Sequence, residues 1–379
     1  MSSDLKFCYS VTAFLILIGL GGGCSKPQDT EPVINKTIYL TTSDSTLYAI
    51  DAQTGTKRWA VKTPGRSSGS SPAIANGLIY VGLDDRNFYA FESTTGTEKW
   101  RYKVFDLIQS SPAVANGIVY FGSDDAQFYA LDANTGAKKW VFWTGCAKVQ
   151  SSPTVANGIV YFGSDFRCGV SVNHFYAKDT QNGTDKWSYK SDDFTGLARD
   201  VRTKSIMVDN VVYVSEYSGT LWAVDSQTGN KQWTWSERDS RLITNPATTK
   251  ETIFIAKGIS LYAIDAKTGV QKWEYRNSSG PYNFSSPSYA NSTVYVHNGA
   301  NVYAVDMLTG TLKWTFSAEE FRENMVAANG LVYVAGKENL YALDATTGAK
   351  KWVMKLDSFL SASPCLIDSN DETYGVYAH

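Results

Sequence analysis

Three histidines, five cysteines and a few acidic pairs are the side chains from which this sequence could build chemistry. His174, His297 and His379 are scattered, so neither a zinc site nor a catalytic histidine is indicated. Asp84-Asp85 and Asp124-Asp125 carry the oxygen ligands that Mg²⁺ or Ca²⁺ takes. Each pair, however, lies between two short strand-like runs, where Asp shapes a turn. No Gly-rich loop joins a strand to a helix, the context a phosphate cradle needs. Eight regularly spaced tryptophans could form an aromatic array for a flat ligand, but the same regularity suits a packing role in every repeat. The residues therefore predict no catalytic group, no metal site and no cofactor.

Composition narrows the classes. Lys and Arg total 35 against 37 Asp and Glu, a net charge of −2. That balance argues against nucleic acid, whose phosphates demand a basic surplus. A hydrophobic content of 43% is too high for a disordered chain and too low for a polytopic membrane protein. The 23 Tyr and 11 Trp favour strands.

The beginning of the chain reads as an export signal. Lys6 precedes an apolar stretch from Phe7 to Leu20 that ends in Gly21-Gly22-Gly23-Cys24. It is too short for a permanent span but suits a signal h-region. Small residues before a Cys resemble the bacterial lipoprotein signal, which predicts removal of residues 1–23 and lipidation of Cys24. Residues 24–36 are polar with two prolines, a flexible tether. Ser25 matches outer-membrane sorting, so the expected location is the outer membrane, with residues 37–379 in the periplasm or, alternatively, at the cell surface.

After residue 36 one pattern recurs eight times: Ala-x-Asp-x-x-Thr-Gly-x-x-x-Trp, with small variations. Its tryptophans are Trp59, Trp100, Trp140, Trp187, Trp233, Trp273, Trp314 and Trp352, spaced by 41, 40, 47, 46, 40, 41 and 38 residues. Each period holds four strand-like pieces. In the second, Ser70–Ala75 is followed by an Asn76-Gly77 hairpin, then Leu78–Gly82, Phe88–Phe91 and Glu98–Tyr102. Four antiparallel strands per 40-odd residues predict an all-β, eight-bladed β-propeller. The Asp should accept backbone N–H groups across its turn, the Gly should take a left-handed conformation, and the Trp should pack on the neighbouring blade. The first period lacks its Ser-Pro strand, and Ser361–Asp368 supplies one after the last Trp. The C-terminal strand is therefore expected to join the first blade and close the ring as a monomer.

The repeat resembles the tryptophan-docking motif of the quinoprotein-like (PQQ-like) propellers over about residues 37–379. That family has two branches, the PQQ-dependent dehydrogenases and BamB, the lipoprotein subunit of the outer-membrane β-barrel assembly machinery. The resemblance favours the second. There is no large insertion, and the cysteines Cys8, Cys24, Cys146, Cys168 and Cys365 include no adjacent pair. Leu197–Thr203 is similar to BamB's Arg-Asp-Val-Asp-Thr-Thr-Pro stretch, whose acidic residues contact the partner BamA. Asp200 matches the first acid, and Arg202 stands in place of the second. Nothing near Cys146–Gln150 matches the Leu- and Arg-containing loop of that branch. The resemblance implies a non-catalytic, membrane-tethered scaffold for a BamA-like protein. The alternative is a PQQ-dependent dehydrogenase or a small-ligand-binding propeller.

Departures from the repeat point to recognition. The two longest intervals place their extra residues in Asp165–His174 and Ser191–Arg199, two loop types that a propeller puts on one face, opposite the Asp-Thr-Gly turns. Phe166, Arg167, Phe194, Arg199, Asp200 and Arg202 are the candidate partner-binding residues. Cys146 and Cys168 should reach that same face in an oxidising compartment, which suggests a disulfide, with two buried thiols as the other reading. Cys365, in the closing strand, reads as a small buried apolar residue.

Overall fold

A computed structural model describes residues 36–164, 174–190, 201, 203–216, 219–237, 244–277, 282–318, 320–321, 323–367 and 373–374. Eight antiparallel sheets follow one another through the unit Asn35–His379, and no helix occurs among the described residues. Blade 2 is typical, with strands Ala73–Ala75, Leu78–Gly82, Asn87–Glu92 and Glu98–Lys103 in sequential order. Its first hairpin is made by Asn76 and Gly77 at φ 52° and 74°, as the Asn-Gly pair requires. The second and third strands carry the buried side chains, whereas the fourth alternates exposed and half-buried residues at the rim. First strands of neighbouring blades touch one another and line the axis.

Closure occurs as the sequence predicts. Cys365–Ile367 pairs antiparallel with Thr37–Thr42, so blade 1 is built from both ends of the domain. A short fifth strand, Thr373–Tyr374, adds to the inner side of that blade and touches the first strands of blades 2 and 8. Blade 1 thus has one strand more than the four that the repeat predicts.

The motif residues hold the ring together. In every copy the Trp indole N–H donates to a backbone carbonyl of the next blade, at 2.9–3.2 Å. The indole lies on the next blade's motif Gly, at φ between 70° and 75°. At Gly183 an added Cβ would stand 2.8 Å from the ring of Trp140, so the turn must present bare backbone there. The last indole, Trp352, docks on Gly55 and Ala52 O of blade 1, which completes the circle. The rings are half-buried except Trp140, which is buried.

The Asp behaves as expected and does more. Asp51 Oδ1 accepts the N–H of Gln53 and of Thr54 and the Thr54 hydroxyl, at 2.9–3.0 Å. Its second oxygen pairs with Arg58 at 2.7 Å, and Asp132, Asp265, Asp306 and Asp344 pair likewise with the Lys seven residues on. Lys351 first, and then the Thr347 N–H, hold the Asp344 carboxyl at about 2. Such exposed pairs stabilise weakly.

One partner of the Trp was not anticipated. The Tyr at the centre of the second strand donates to the same carbonyl, as Tyr120 and Trp140 both do to Thr180 O. Seven blades carry this Tyr, and blade 6 has Phe254. The signal in the sequence is a Tyr in almost every second strand, which strand propensity alone also explains.

Candidate protein-docking face

Two kinds of connection share one face. Loops leading into first strands hydrogen-bond to the hairpins between second and third strands, as Asp84 N–H does to Arg66 O and Asp124 N–H to Leu107 O. The opposite face gathers the first hairpins and the Asp-Thr-Gly turns, joined by bonds such as Ser93 N–H to Gly77 O. This is the expected division of the loops.

Phe166, Arg167, Phe194, Arg199, Asp200 and Arg202 lie outside the described residues, as do Cys24 and Cys168. Val201, between Asp200 and Arg202, is described and only 4% exposed. It is wedged over Gly163, where an added Cβ would meet Val201 Cγ1 at 2.4 Å. Just beyond it, Thr203 Oγ1 donates to Ser215 O, and Lys204 N–H donates to Asn245 Oδ1. Ile108 over Gly82 and Val149 over Gly122 repeat the wedge. Each loop is thus pinned at one apolar residue set four before the Pro, or before Ser205 in blade 5. That spacing was readable, but it carries meaning only once the facing Gly is known.

Blade 3 adds exposed apolar surface on this side. Phe105 is 79% exposed, with its N–H on Asp125 Oδ2, and Trp143 is 68% exposed at the end of Lys138–Trp143. Every other fourth strand ends on a polar residue, Lys, Arg or Ser, and the charged ones blunt an edge. Nearby, Asp124 is buried and accepts from Lys148 Nζ at 2.6 Å and from the amides of Gln109 and Gln150 at 2.9 Å. The sequence predicts a turn role for Asp124. It also ties together the loops leading into blades 3 and 4.

Cys146 is disulfide-bonded, and the pairing expected with Cys168 lies outside the described residues. Cys365 is a free thiol, buried as expected, and burial pushes it up to about 12.

His297 fixes the loop leading into blade 8. Its Nδ1 accepts the Gly299 N–H at 3.3 Å, so Nε2 carries the proton and donates to Glu323 O at 2.8 Å. Burial lowers its pKa to about 4, against the opposing effect of the Glu323 carbonyl. The native state therefore holds the neutral ring while the unfolded chain takes up a proton below about 6.5. Stability should fall by about 3 kcal/mol as pH drops from 6.5 to 4, from this group alone. Urea titrations across that range should show the loss in the parent and a much shallower slope in His297→Gln. Parallel slopes would remove the assignment.

The repeat, the ring of docked indoles and the closing strand define a PQQ-like eight-bladed β-propeller. The sequence matches the family described as outer membrane protein assembly factor BamB, over residues 43–275, 208–325 and 284–372. The chain belongs to that family. Among solved structures it is similar to BamB from Moraxella catarrhalis, at 17% identity and TM-score 0.64, covering 84% of this chain and 91% of the other. It is also similar to a quinohemoprotein alcohol dehydrogenase from Pseudomonas putida HK5, at 15% identity and TM-score 0.65, covering 80% and 70%. The computationally designed Ika8 protein aligns at 14% identity and TM-score 0.67, covering 82% and 96%. Likenesses this distant establish the fold. No curated protein matches the sequence.

Proposed function

We propose that this protein is a membrane-tethered, non-catalytic scaffold that docks a BamA-like assembly factor, as an accessory subunit in outer-membrane protein assembly. The family match across residues 43–372 carries this reading. In it, residues 1–23 are a removed signal, Cys24 bears the lipid, residues 24–36 form the tether, and the propeller faces the periplasm. The docking face is the one with the lead-in loops. Val201 is buried against Gly163 on this face, and its sequence neighbours Asp200 and Arg202, with Phe166, Arg167, Phe194 and Arg199, are the residues proposed to meet the partner. Phe105 and Trp143 extend the same surface with exposed aromatic area, the composition that concentrates binding energy. A Cys146–Cys168 disulfide would restrain the longest of these loops, and intact mass without reductant tests it.

Capture of the partner from native membranes tests the assignment. Asp200→Lys should reduce recovery of a BamA-like protein at least tenfold while leaving the melting temperature within a few degrees. Full recovery from that variant would reject this face as the docking site.

The fold's likeness to quinohemoprotein dehydrogenases favours a second reading, an enzyme with a quinone at the axis. The described residues do not suit a calcium–quinone pair. The axial cavity has Lys204 as its charged side chain and no acid in its described lining. Among the described residues no three His, Cys, Asp or Glu side chains group in a way that could hold a metal ion. Titration with PQQ and Ca²⁺ should leave the quinone absorbance unchanged.

A further inference from the structure

Two neighbouring blades carry apolar side chains on the Asp-Thr-Gly face where the rest of the repeat is polar. Leu308, in the motif turn of blade 7, is 80% exposed, and Val270, at the end of the blade 6 turn, is 64% exposed. Leu312 is exposed where the blade 7 turn runs into its fourth strand. Leu308 stands where blades 1 and 5 have Gln53 and Gln227, and Val270 where blades 1 and 2 have Thr56 and Thr97. Leu312 replaces a lysine found as Lys57 in blade 1 and Lys350 in blade 8. The turn itself does not need these side chains, because Asp306 Oδ1 accepts the Leu308 and Thr309 N–H groups at 3.0 and 2.9 Å. Nor are the two turns far apart: Trp273 of blade 6 lies on Gly310 of blade 7 and donates its indole N–H to Met307 O at 3.0 Å. Exposed apolar residues that gather in this way, each a departure from its repeat, mark a contact surface.

The start of the domain says what covers it. Lys36 O accepts the Ala52 N–H of the blade 1 motif turn at 3.1 Å, so the chain enters the propeller on this same face. Blade 8 alone separates blade 1 from blade 7, its motif Gly348 receiving Trp314 and its Trp352 reaching Gly55. From Cys24 to Lys36 the chain spans at most about 40 Å when fully extended. A lipid on Cys24 therefore brings this face, rather than the lead-in loops, towards the bilayer. Lys250 and Lys267 are exposed beside the apolar rim, with Glu251 as the one neighbouring acid of that hairpin, and the Ala266 N–H bond to Glu251 O joins hairpin and turn. Lysines around an apolar rim suit a surface of phosphates over hydrocarbon.

We infer that the Asp-Thr-Gly face of blades 6 and 7 rests on a lipid bilayer, with Val270, Leu308 and Leu312 at the boundary of headgroups and acyl chains and Lys250 and Lys267 among the phosphates. The inference rests on the reading of Cys24 as the lipid-bearing residue. Three aliphatic side chains are too few to hold a protein of this size, so the acyl chains anchor it and the rim orients it. The lead-in loops on the opposite face are then turned away from the lipid and left open to a partner.

The full-length protein, purified from native membranes and placed in phosphatidylethanolamine–phosphatidylglycerol vesicles containing a photoactivatable phospholipid, tests this. Peptide mass spectrometry should find lipid adducts on the turns holding Val270, Leu308 and Leu312 at least fivefold above the corresponding turns of blades 2 and 3. The triple variant Val270→Thr, Leu308→Gln, Leu312→Lys takes its residues from other blades, so it should keep the melting temperature and lose that excess. The mass of the Cys24 peptide, read in the same samples, separates the two readings. Even labelling of all turns with lipid present on Cys24 would overturn the orientation and leave the anchor standing. Excess labelling of the blade 6 and 7 turns with Cys24 unmodified would support the contact and reject the anchor. Adducts concentrated on Phe105 and Trp143 would overturn the inference, since the opposite face would then meet the lipid. So would a dimer in detergent that the triple variant abolishes, because the rim would then belong to a second copy of the chain.

Discussion

Trp140→Ala should destabilise the ring by about 3–5 kcal/mol, the range for removing a buried Trp. Trp140 is the motif indole with the least exposure. It loses contacts to Tyr120 and Phe128, at centroid distances of 6.0 and 5.9 Å, and its bond to Thr180 O. The same interface can be attacked from the other side. Gly183→Ala puts a Cβ against the indole, in a backbone conformation that costs an L-residue about 1–2 kcal/mol. The steric part exists only while the indole is there. Combining the two changes should therefore cost about 1–3 kcal/mol less than their sum. Trp143→Ala, three residues along and exposed, should stay within about 0.5 kcal/mol of the parent. Denaturant unfolding of the five proteins decides it. Strict additivity, or equal losses from Trp140 and Trp143, would mean the indoles do not lock blade to blade.

Why the blades were legible and the docking face less so follows from the same physics. Asp51, Gly55 and Trp59 answer to constraints within one hairpin or across one blade interface, and those constraints repeat eight times, so the pattern isolates them. The Tyr120 hydroxyl obeys the same interface, but a Tyr in a strand already has a sufficient local reason to be there. Val201 and Gly163 are separated by 38 residues, and neither has meaning without the other. Lys204 looked ordinary because its surroundings come from several blades at once. Asp200 has its proposed role from family resemblance alone, because a contact with another molecule leaves no pattern in the chain's own repeat.

The seam that joins the two ends of the domain should be the most sensitive place in the fold. Leu366 is 1% exposed, sits opposite Ile38 in register, and packs with Leu40, Tyr48 and Val326. Bringing these ends together is less costly than the separation suggests, because loop-closure entropy grows by only about 0.6 kcal/mol for each doubling of length. The entropy is offset by packing against both flanking blades, since blade 1 receives Trp352 from blade 8 and delivers Trp59 to blade 2. Leu366→Asp would bury a carboxylate where no water can reach it, a loss above about 4 kcal/mol. Because the strand that fails is the one completing blade 1, both indole contacts of that blade weaken with it. Limited proteolysis should then cut first in residues 356–367 and next in residues 36–62, before any site in blades 3 to 6. Leu366→Ala, which leaves a cavity but no charge, should show the same order of cleavage at a loss of about 2–5 kcal/mol. Cleavage beginning in the middle blades in either variant would show that the ring is not held at this seam.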